Sequence, residues 1–487
     1  MTLLDTLFAR GEARRAALVV AETGEAQSYD ELREAVDDLA GALAGLGVGR
    51  GSRVALVVPD GPDLVRLLLS LAALGATAAP LNPAYKREEL EFYLDDLRPE
   101  LLVLPAGEAP AARAAAGAAI PTVDVEDGRL GGAPAVFDPA RHDDVALLLH
   151  TSGTTSRPKQ VPLLQRNLAA SVRSIADFYA LGPEDVSYCA MPLFHVHGLL
   201  ASAFAAMAGG GTAVVPRRFA PRPFWPQLRR FGVTWYSAGP TLHRMLLERI
   251  DADGPPLTLR FVRSCSSALT PALMAELEER LGVPVVEAYG MTEASHQMAS
   301  NPLPPASRVP GSVGVSAGAE IAIADGDGRL LEGGPGEVVI RGPGVTPGYL
   351  NNPEANAEAF FDGWFRTGDR GSLEADGYLR LEGRIKEMIL RGGENISPYE
   401  IEDVLLRHPA VSDAVCFGVD DEKYGERVES AVVLQGEADA RELAAYCRER
   451  LAAFKVPDRI HVVESIPRTA TGKLQRKRVG VLLAEAE

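Results

Sequence analysis

Between Thr151 and Lys159 the chain reads Thr-Ser-Gly-Thr-Thr-Ser-Arg-Pro-Lys. One glycine set among hydroxyls and closed by two cations is the composition of a loop that holds phosphate. Gly153 lets backbone N–H groups approach an oxyanion closely. Thr151, Ser152, Thr154 and Thr155 add hydroxyl donors, and Lys159 adds a point charge. The pattern GxxxxGK[ST] is absent, so this is not the common P-loop. The apolar run at 145–149 reads as the strand that delivers the loop.

Further chemistry-bearing segments follow in order. They are Tyr289-Gly290-Met291-Thr292-Glu293, then Gly363-Trp364-Phe365-Arg366-Thr367-Gly368-Asp369, then Gly383-Arg384-Ile385-Lys386-Glu387. After these come Arg391-Gly392-Gly393-Glu394-Asn395-Ile396-Ser397-Pro398 and Pro467-Arg468-Thr469-Ala470-Thr471-Gly472-Lys473. In this order and with this spacing the segments resemble the adenylate-forming superfamily of acyl-CoA synthetases, adenylation domains and beetle luciferases. The resemblance runs from about residue 28 to about residue 478.

That resemblance implies a two-step reaction using ATP, Mg²⁺ and coenzyme A. A carboxylate is a poor acyl donor, so its oxygen attacks the α-phosphorus of ATP and pyrophosphate leaves. A thiol then displaces AMP from the acyl-adenylate. No protein nucleophile is required, and catalysis rests on positioning and charge stabilisation. By resemblance, the 151–159 loop binds the β- and γ-phosphates, Glu293 is the Mg²⁺-linked carboxylate and Thr292 contacts the α-phosphate. Tyr289, next to Gly290, lies against adenine, with Ser266 and Ser267 nearby. Asp369 accepts the ribose hydroxyls and Arg384 contacts ribose or phosphate. Lys473 bridges carboxylate and α-phosphate during adenylation, then withdraws. Lys386 is the hinge residue, and Gly392 and Gly393 face the incoming CoA thiol. Taken singly, Glu293 reads as a helix N-terminal acid, Tyr289 as an ordinary half-buried tyrosine, Asp369 as a turn residue and Lys473 as a solvated lysine.

The acid is suggested by three segments: Pro192-Leu-Phe-His195-Val-His197-Gly198, Arg263-Ser264-Cys-Ser-Ser-Ala268, and Met291 to Pro304 with His296. Together with Ser156, where the superfamily usually has Gly, they resemble its oxalate–CoA ligase branch. A diacid pocket needs a donor or cation for the second carboxylate, because a buried unpaired anion is costly. His195, His197, His296, Arg263 and Ser264 are the candidates for substrate binding, with His195 also placed among the catalytic residues. The two later histidines also read as satisfied structural groups, and Arg263 as half of a core ion pair. Gln160 stands where the family has Gly; if the position needs a positive φ, glutamine is strained there. Malonate, a short or medium-chain fatty acid and an aromatic acid remain alternative substrates. Loading of a carrier protein, and a nucleotide-binding protein with impaired catalysis, remain alternative functions.

The elements that must position these residues read as α/β. The chain has 487 residues, enough for two or more domains. Ser28 and Glu31 form a capping box for a helix to about Leu46. Strands at 54–58 and 76–79 alternate with helices at 59–74 and 87–97, and 105–120 is a helix or loop. A second α/β unit has helices at 165–179 and 241–250 and strands at 231–236 and 260–263. This rhythm predicts stacked, largely parallel sheets in a large N-terminal domain. Residues 314–381 are strand-rich and Gly-rich, with strands at 337–340 and 378–381, and predict a small β-barrel-like subdomain. Residues 1–382 are expected to form the AMP-binding domain, 383–387 the hinge and 388–487 a small mobile α+β domain. In that domain helices are expected at 398–406 and 438–451, and strands at 413–419, 430–434 and 459–463.

The net charge of −17 argues against a nucleic-acid partner. No apolar stretch is long enough to span a membrane. The N-terminal residues lack a basic region followed by a long apolar run, and the last residues are not a peroxisomal address. Four scattered cysteines, Cys189, Cys265, Cys416 and Cys447, read as reduced thiols. A cytoplasmic enzyme is therefore expected.

Overall fold

The computed structural model describes residues 1–151, 158–250, 254–421, 423–468 and 474–485. Among them the strands form four sheets. The first has seven strands in the order Arg129–Leu130, Thr122–Glu126, Leu101–Pro105, Arg53–Leu56, Thr77–Pro80, Val145–Thr151, Lys159–Leu164. Its interior pairs are parallel and its outermost pairs antiparallel. The second has nine strands, with a parallel run through Val285–Met291, Phe261–Ser264, Trp235–Ala238, Val186–Cys189, Thr212–Val215 and Ala16–Val20.

Between these sheets lie the helices Tyr29–Gly45, Pro62–Leu74 and Gln165–Phe178, whose apolar sides share one core with both. The capping box at Ser28 and Glu31 starts the first helix. Leu32, Val36, Leu39, Ala40 and Leu43 then recur at helical spacing and are buried. The helix expected from Pro59 begins at Pro62, because Gly61 is the N-cap and proline suits the first helical position. The strand expected at 231–236 lies at Trp235–Ala238. Phe231 instead caps the helix Phe224–Arg230, whose apolar residues Phe224, Trp225 and Leu228 blurred the boundary. The helix expected at 241–250 spans Pro240–Leu247, and the 105–120 region contains the helix Pro110–Ala116.

The Gly-rich region forms an antiparallel sheet of six strands, built around Glu320–Ala324, Pro335–Arg341, Trp364–Leu373 and Leu379–Arg384. The fourth sheet takes five strands between residues 389 and 462, with the helices Pro398–Leu406 and Ala440–Arg448 packed into its own core. The four cysteines are buried free thiols. No described helix is long and apolar enough to cross a membrane.

Candidate active site

The parallel strands of the two large sheets deliver Thr151, Arg263 and Tyr289 near their carboxyl ends, where open α/β sheets hold ligands. Thr151 ends the strand Val145–Thr151 and pairs with Lys159, which opens the next strand. The residues between, 152–157, lie outside the described residues, and so do Lys473 and its loop, 469–473. Thus Ser152, Gly153, Thr154, Thr155 and Lys473 have no structural account.

Tyr289, Asp369 and Arg384 come together from two sheets. Asp369 and Arg384 are cross-strand partners, and the Arg384 Nε lies 2.9 Å from Asp369 Oδ1. The Tyr289 hydroxyl donates to Asp369 Oδ2. Burial, then the Asp369 charge, pushes the Tyr289 phenol well up, so it stays protonated as the donor. A carboxylate held between a phenol and a guanidinium is fixed in orientation and suits paired hydroxyls. Gly290 is needed for close approach: a Cβ there would meet the His296 carbonyl at 2.2 Å.

Thr292 and Glu293 lie in a short 3-10 turn, Thr292–Ala294, and Glu293 is 7% exposed. The Tyr349 hydroxyl donates to Glu293 Oε1 at 3.0 Å. Among the described residues no cluster of three or more His, Cys, Asp or Glu forms a metal cage. A single carboxylate with one oxygen uncommitted among the described residues fits the mode in which Mg²⁺ takes one or two carboxylates together with substrate phosphates. Lys159 Nζ sits over the Tyr349 ring, 4.5 Å from its centroid.

The cationic candidates gather on one face of the nine-stranded sheet. Arg263 is fully buried and donates four hydrogen bonds to neutral groups: Tyr179 Oη (3.1 Å), Ser237 Oγ (3.0 Å), Gln297 Oε1 (3.0 Å) and His296 Nδ1 (3.3 Å). No carboxylate pairs with it among the described residues, which removes the reading of a core ion pair. Since Arg263 can only donate, His296 Nδ1 accepts and Nε2 carries the ring proton. That Nε2–H has no partner among the described residues. His296 is held at φ 101, a strained backbone for a residue with a Cβ and a mark of functional sites. Burial, reinforced by the Arg263 charge, holds His197 and His296 well below the usual histidine range, so both are neutral.

Two expected ligands are corrected. His197 has both ring nitrogens engaged, Nδ1 with Ser266 Oγ (2.8 Å) and Nε2 with Ser237 Oγ (2.6 Å), leaving no donor for substrate. It is a strut that fixes Ser266, itself at φ 76. Ser264 follows Arg263 in one strand, so the two point to opposite faces. Its strand-mates show the sides: Phe261 belongs to the core between the large sheets and Val262 to a second core behind. The Ser264 Oγ is buried on that far side, without a partner among the described residues.

His195 caps the short helix Val196–Gly198, its Nδ1 accepting from the His197 N–H. Ser267 is half-buried beside Ser266. Lys386 is exposed in the turn Ile385–Glu387, between the third and fourth sheets. Gly392 and Gly393 form the turn joining Ile389–Arg391 to Glu394–Ile396. Their glycine character follows from φ values of 60 and 89, not from crowding, since a Cβ on Gly393 would meet nothing within 4 Å.

Gln160 is also corrected. It lies in a regular strand without a positive φ, and its Nε2 donates to the Asp96 carbonyl (2.7 Å) and carboxylate (2.6 Å). The same carboxylate pairs with His150 Nε2 at 2.8 Å, one residue before the loop. Asp96, His150, Tyr349, Tyr179 and Ser237 were not expected from the sequence. Only Tyr349 carried a local signal, a polar aromatic in a Gly-Tyr-Leu turn.

Residues 7–350 match the family described as AMP-binding enzyme, and residues 400–473 the AMP-binding enzyme C-terminal domain. The chain belongs to the AMP-binding enzyme family. It is 45% identical over 502 residues to an oxalate–CoA ligase of Arabidopsis thaliana, covering 98% of this chain and 97% of that one. An oxalate–CoA ligase of Saccharomyces cerevisiae is 41% identical over 479 residues, covering 90% and 88%. Among solved structures, O-succinylbenzoate coenzyme A synthetase from Bacillus subtilis with ATP and magnesium superposes with a TM-score of 0.88. It is 31% identical and covers 99% of each chain. In this member of the family Tyr289, Asp369 and Arg384 are in direct contact.

Proposed function

We propose that this AMP-forming acid–CoA ligase activates oxalate. The carrying observation is the buried Arg263 cation, which lacks a carboxylate partner among the described residues and backs the unpartnered His296 Nε2–H. A cation caged by neutral groups is incomplete by one anion. The second carboxylate of oxalate supplies it: His296 donates to that carboxylate, and Arg263 behind it polarises the ring. The names of the two plant and yeast relatives support the same acid.

In the reaction, one oxalate oxygen attacks the α-phosphorus and the P–O bond to pyrophosphate breaks. The CoA thiolate then attacks the acyl carbon, AMP leaves, and oxalyl-CoA forms. Thr292 and Lys473 offset charge at the α-phosphate. Asp369 and Arg384 hold the ribose, Tyr289 the adenine, and Lys159 with its loop the β- and γ-phosphates. Glu293 would hold Mg²⁺, which when bound offsets phosphate charge. Residues 1–382 form the AMP-binding domain in this reading. Residues 388–487 turn about 383–387, with Lys386 as pivot, to exchange Lys473 for the thiol near Gly392 and Gly393. The buried free thiols support a reducing, cytoplasmic setting.

The test is pyrophosphate release across oxalate, malonate, acetate, benzoate and octanoate, with CoA and then with a carrier protein as acceptor. Oxalate with CoA should give the highest kcat/KM. A preference for octanoate or benzoate overturns the oxalate reading.

A further inference from the structure

Residues 343–350, Pro-Gly-Val-Thr-Pro-Gly-Tyr-Leu, cross the site as a strap tied on both sides. On one side, Thr346 Oγ1 donates to the Pro162 carbonyl (2.7 Å) and the Leu350 N–H to the Gln160 carbonyl (3.0 Å). Those carbonyls belong to the strand that opens with Lys159. On the other side, the Thr346 N–H donates to the Glu293 carbonyl (2.7 Å), and Ser295 Oγ donates to the Gly344 carbonyl (2.8 Å). The strap therefore fixes the phosphate strand and the carboxylate segment to each other.

Tyr349 links the charged groups those two segments carry. Its ring lies under Lys159 Nζ, and its hydroxyl donates to Glu293 Oε1. It is 8% exposed, and burial followed by the Glu293 charge keeps the phenol protonated. A donor on Oε1 fixes the rotation of the carboxylate and leaves Oε2 for a metal. The ring face attracts the ammonium and leaves its N–H donors on the open side for phosphate. Lys159 and Glu293 make no ion pair with each other among the described residues. Each is satisfied by Tyr349 without cancelling the other.

We infer that Tyr349 is a positioning residue, aiming Glu293 at Mg²⁺ on ATP and holding Lys159 at the same phosphates. The inference rests on the family reading of Glu293 and Lys159. It does not depend on which acid is activated.

The test is calorimetric ATP binding to the full chain, without any acid, in Mg²⁺ and in EDTA. Tyr349→Phe keeps the ring and loses the hydroxyl. The gain in ATP affinity from Mg²⁺ should fall by roughly tenfold, the scale of a lost outer-shell partner. Affinity in EDTA should stay at the wild-type value. In a Glu293→Gln background the Phe substitution should have no further effect, because its only route is through that carboxylate. Tyr349→Leu should also weaken binding in EDTA, since Lys159 loses its platform. Wild-type Mg²⁺ dependence in Tyr349→Phe, equal losses in Mg²⁺ and EDTA, or additivity with Glu293→Gln would each overturn the inference. Wild-type protein that binds no ATP in either buffer would instead overturn the reading beneath it.

Discussion

Replacing Arg263 with methionine should weaken oxalate activation strongly while changing the stability of the substrate-free protein little, the relief of a buried charge offsetting the one donor lost at His296 Nδ1. The volume is nearly kept and the charge removed. Three of its four acceptors keep other partners already in place, while the fourth, His296 Nδ1, loses its donor. Tyr179 Oη remains bonded to Ser300 Oγ (2.7 Å) and to Gln297 Oε1 (3.1 Å), and Ser237 Oγ to His197 Nε2. No buried polar atom among these three is orphaned. Exchanging buried ionic groups for apolar ones of similar size is often neutral, or stabilising by about 1–4 kcal/mol. The bound state differs, because the second carboxylate of oxalate loses its counter-charge. Removing one partner of a buried pair costs about 3–5 kcal/mol. At 1.36 kcal/mol per decade this is a loss of roughly 150- to 5,000-fold in kcat/KM.

A monocarboxylic acid has nothing to lose at this position, so acetate or butyrate should fall by about tenfold at most, the scale of one modest hydrogen bond. The assay is pyrophosphate release with oxalate and with a monoacid, beside thermal melts of the free protein. Equal losses for both acids would refute the counter-charge argument. So would a large fall in melting temperature with the acid preference unchanged, since Arg263 would then be holding the fold and not the substrate.

Other outcomes follow from the same contacts. Lys473→Ala should nearly abolish adenylate formation yet spare thioester formation from preformed acyl-adenylate; the two half-reactions assayed separately check this, and equal losses would contradict it. Gln160→Gly should lower the melting temperature, because the Asp96 carboxylate loses a donor and the strand gains a flexible residue; a rise would restore the strain argument. Glu287 is buried, accepts from the Leu269 N–H, and is pushed up to about 8 by burial. Its folded pKa lies above the unfolded value, so the stability it contributes is full below about pH 4.5 and is lost as pH rises through about 8. Glu287→Gln keeps the acceptor and removes the titration. The melting temperature of wild type relative to the variant should therefore fall between pH 5 and pH 9, and a constant difference would count against it.

Much of the fold was legible because it depends on local signals. The capping box at Ser28 and Glu31, the helical spacing of Leu32, Val36 and Leu39, and the apolar strand before Thr151 act within a few residues. Boundaries slipped where two apolar elements abut, as at Phe231, which caps a helix that the run toward Trp235 obscured. The residues proposed for the nucleotide were singled out through their motifs, and the structure brings Tyr289, Asp369 and Arg384 into contact.

The residues proposed for the substrate could be singled out as a group but not told apart, and the reason is strand parity. Arg263 and Ser264 look equivalent in sequence, yet adjacent strand positions face opposite cores, so one enters the site and the other leaves it. His197 and His296 also look equivalent. The distinction lies in which nitrogens are taken, and that depends on Ser237, Ser266 and Arg263, far along the chain. Gln160 shows the same limit from the other side. A glycine in relatives suggested strain for any side chain, yet the strand is regular and the glutamine amide meets Asp96 from a helix 64 residues earlier. The same carboxylate holds His150, so both stems of the phosphate loop hang on one helix residue. A departure from a family pattern is therefore a question about the neighbours it meets. Here those neighbours turn an expected defect into an added tie beneath the loop.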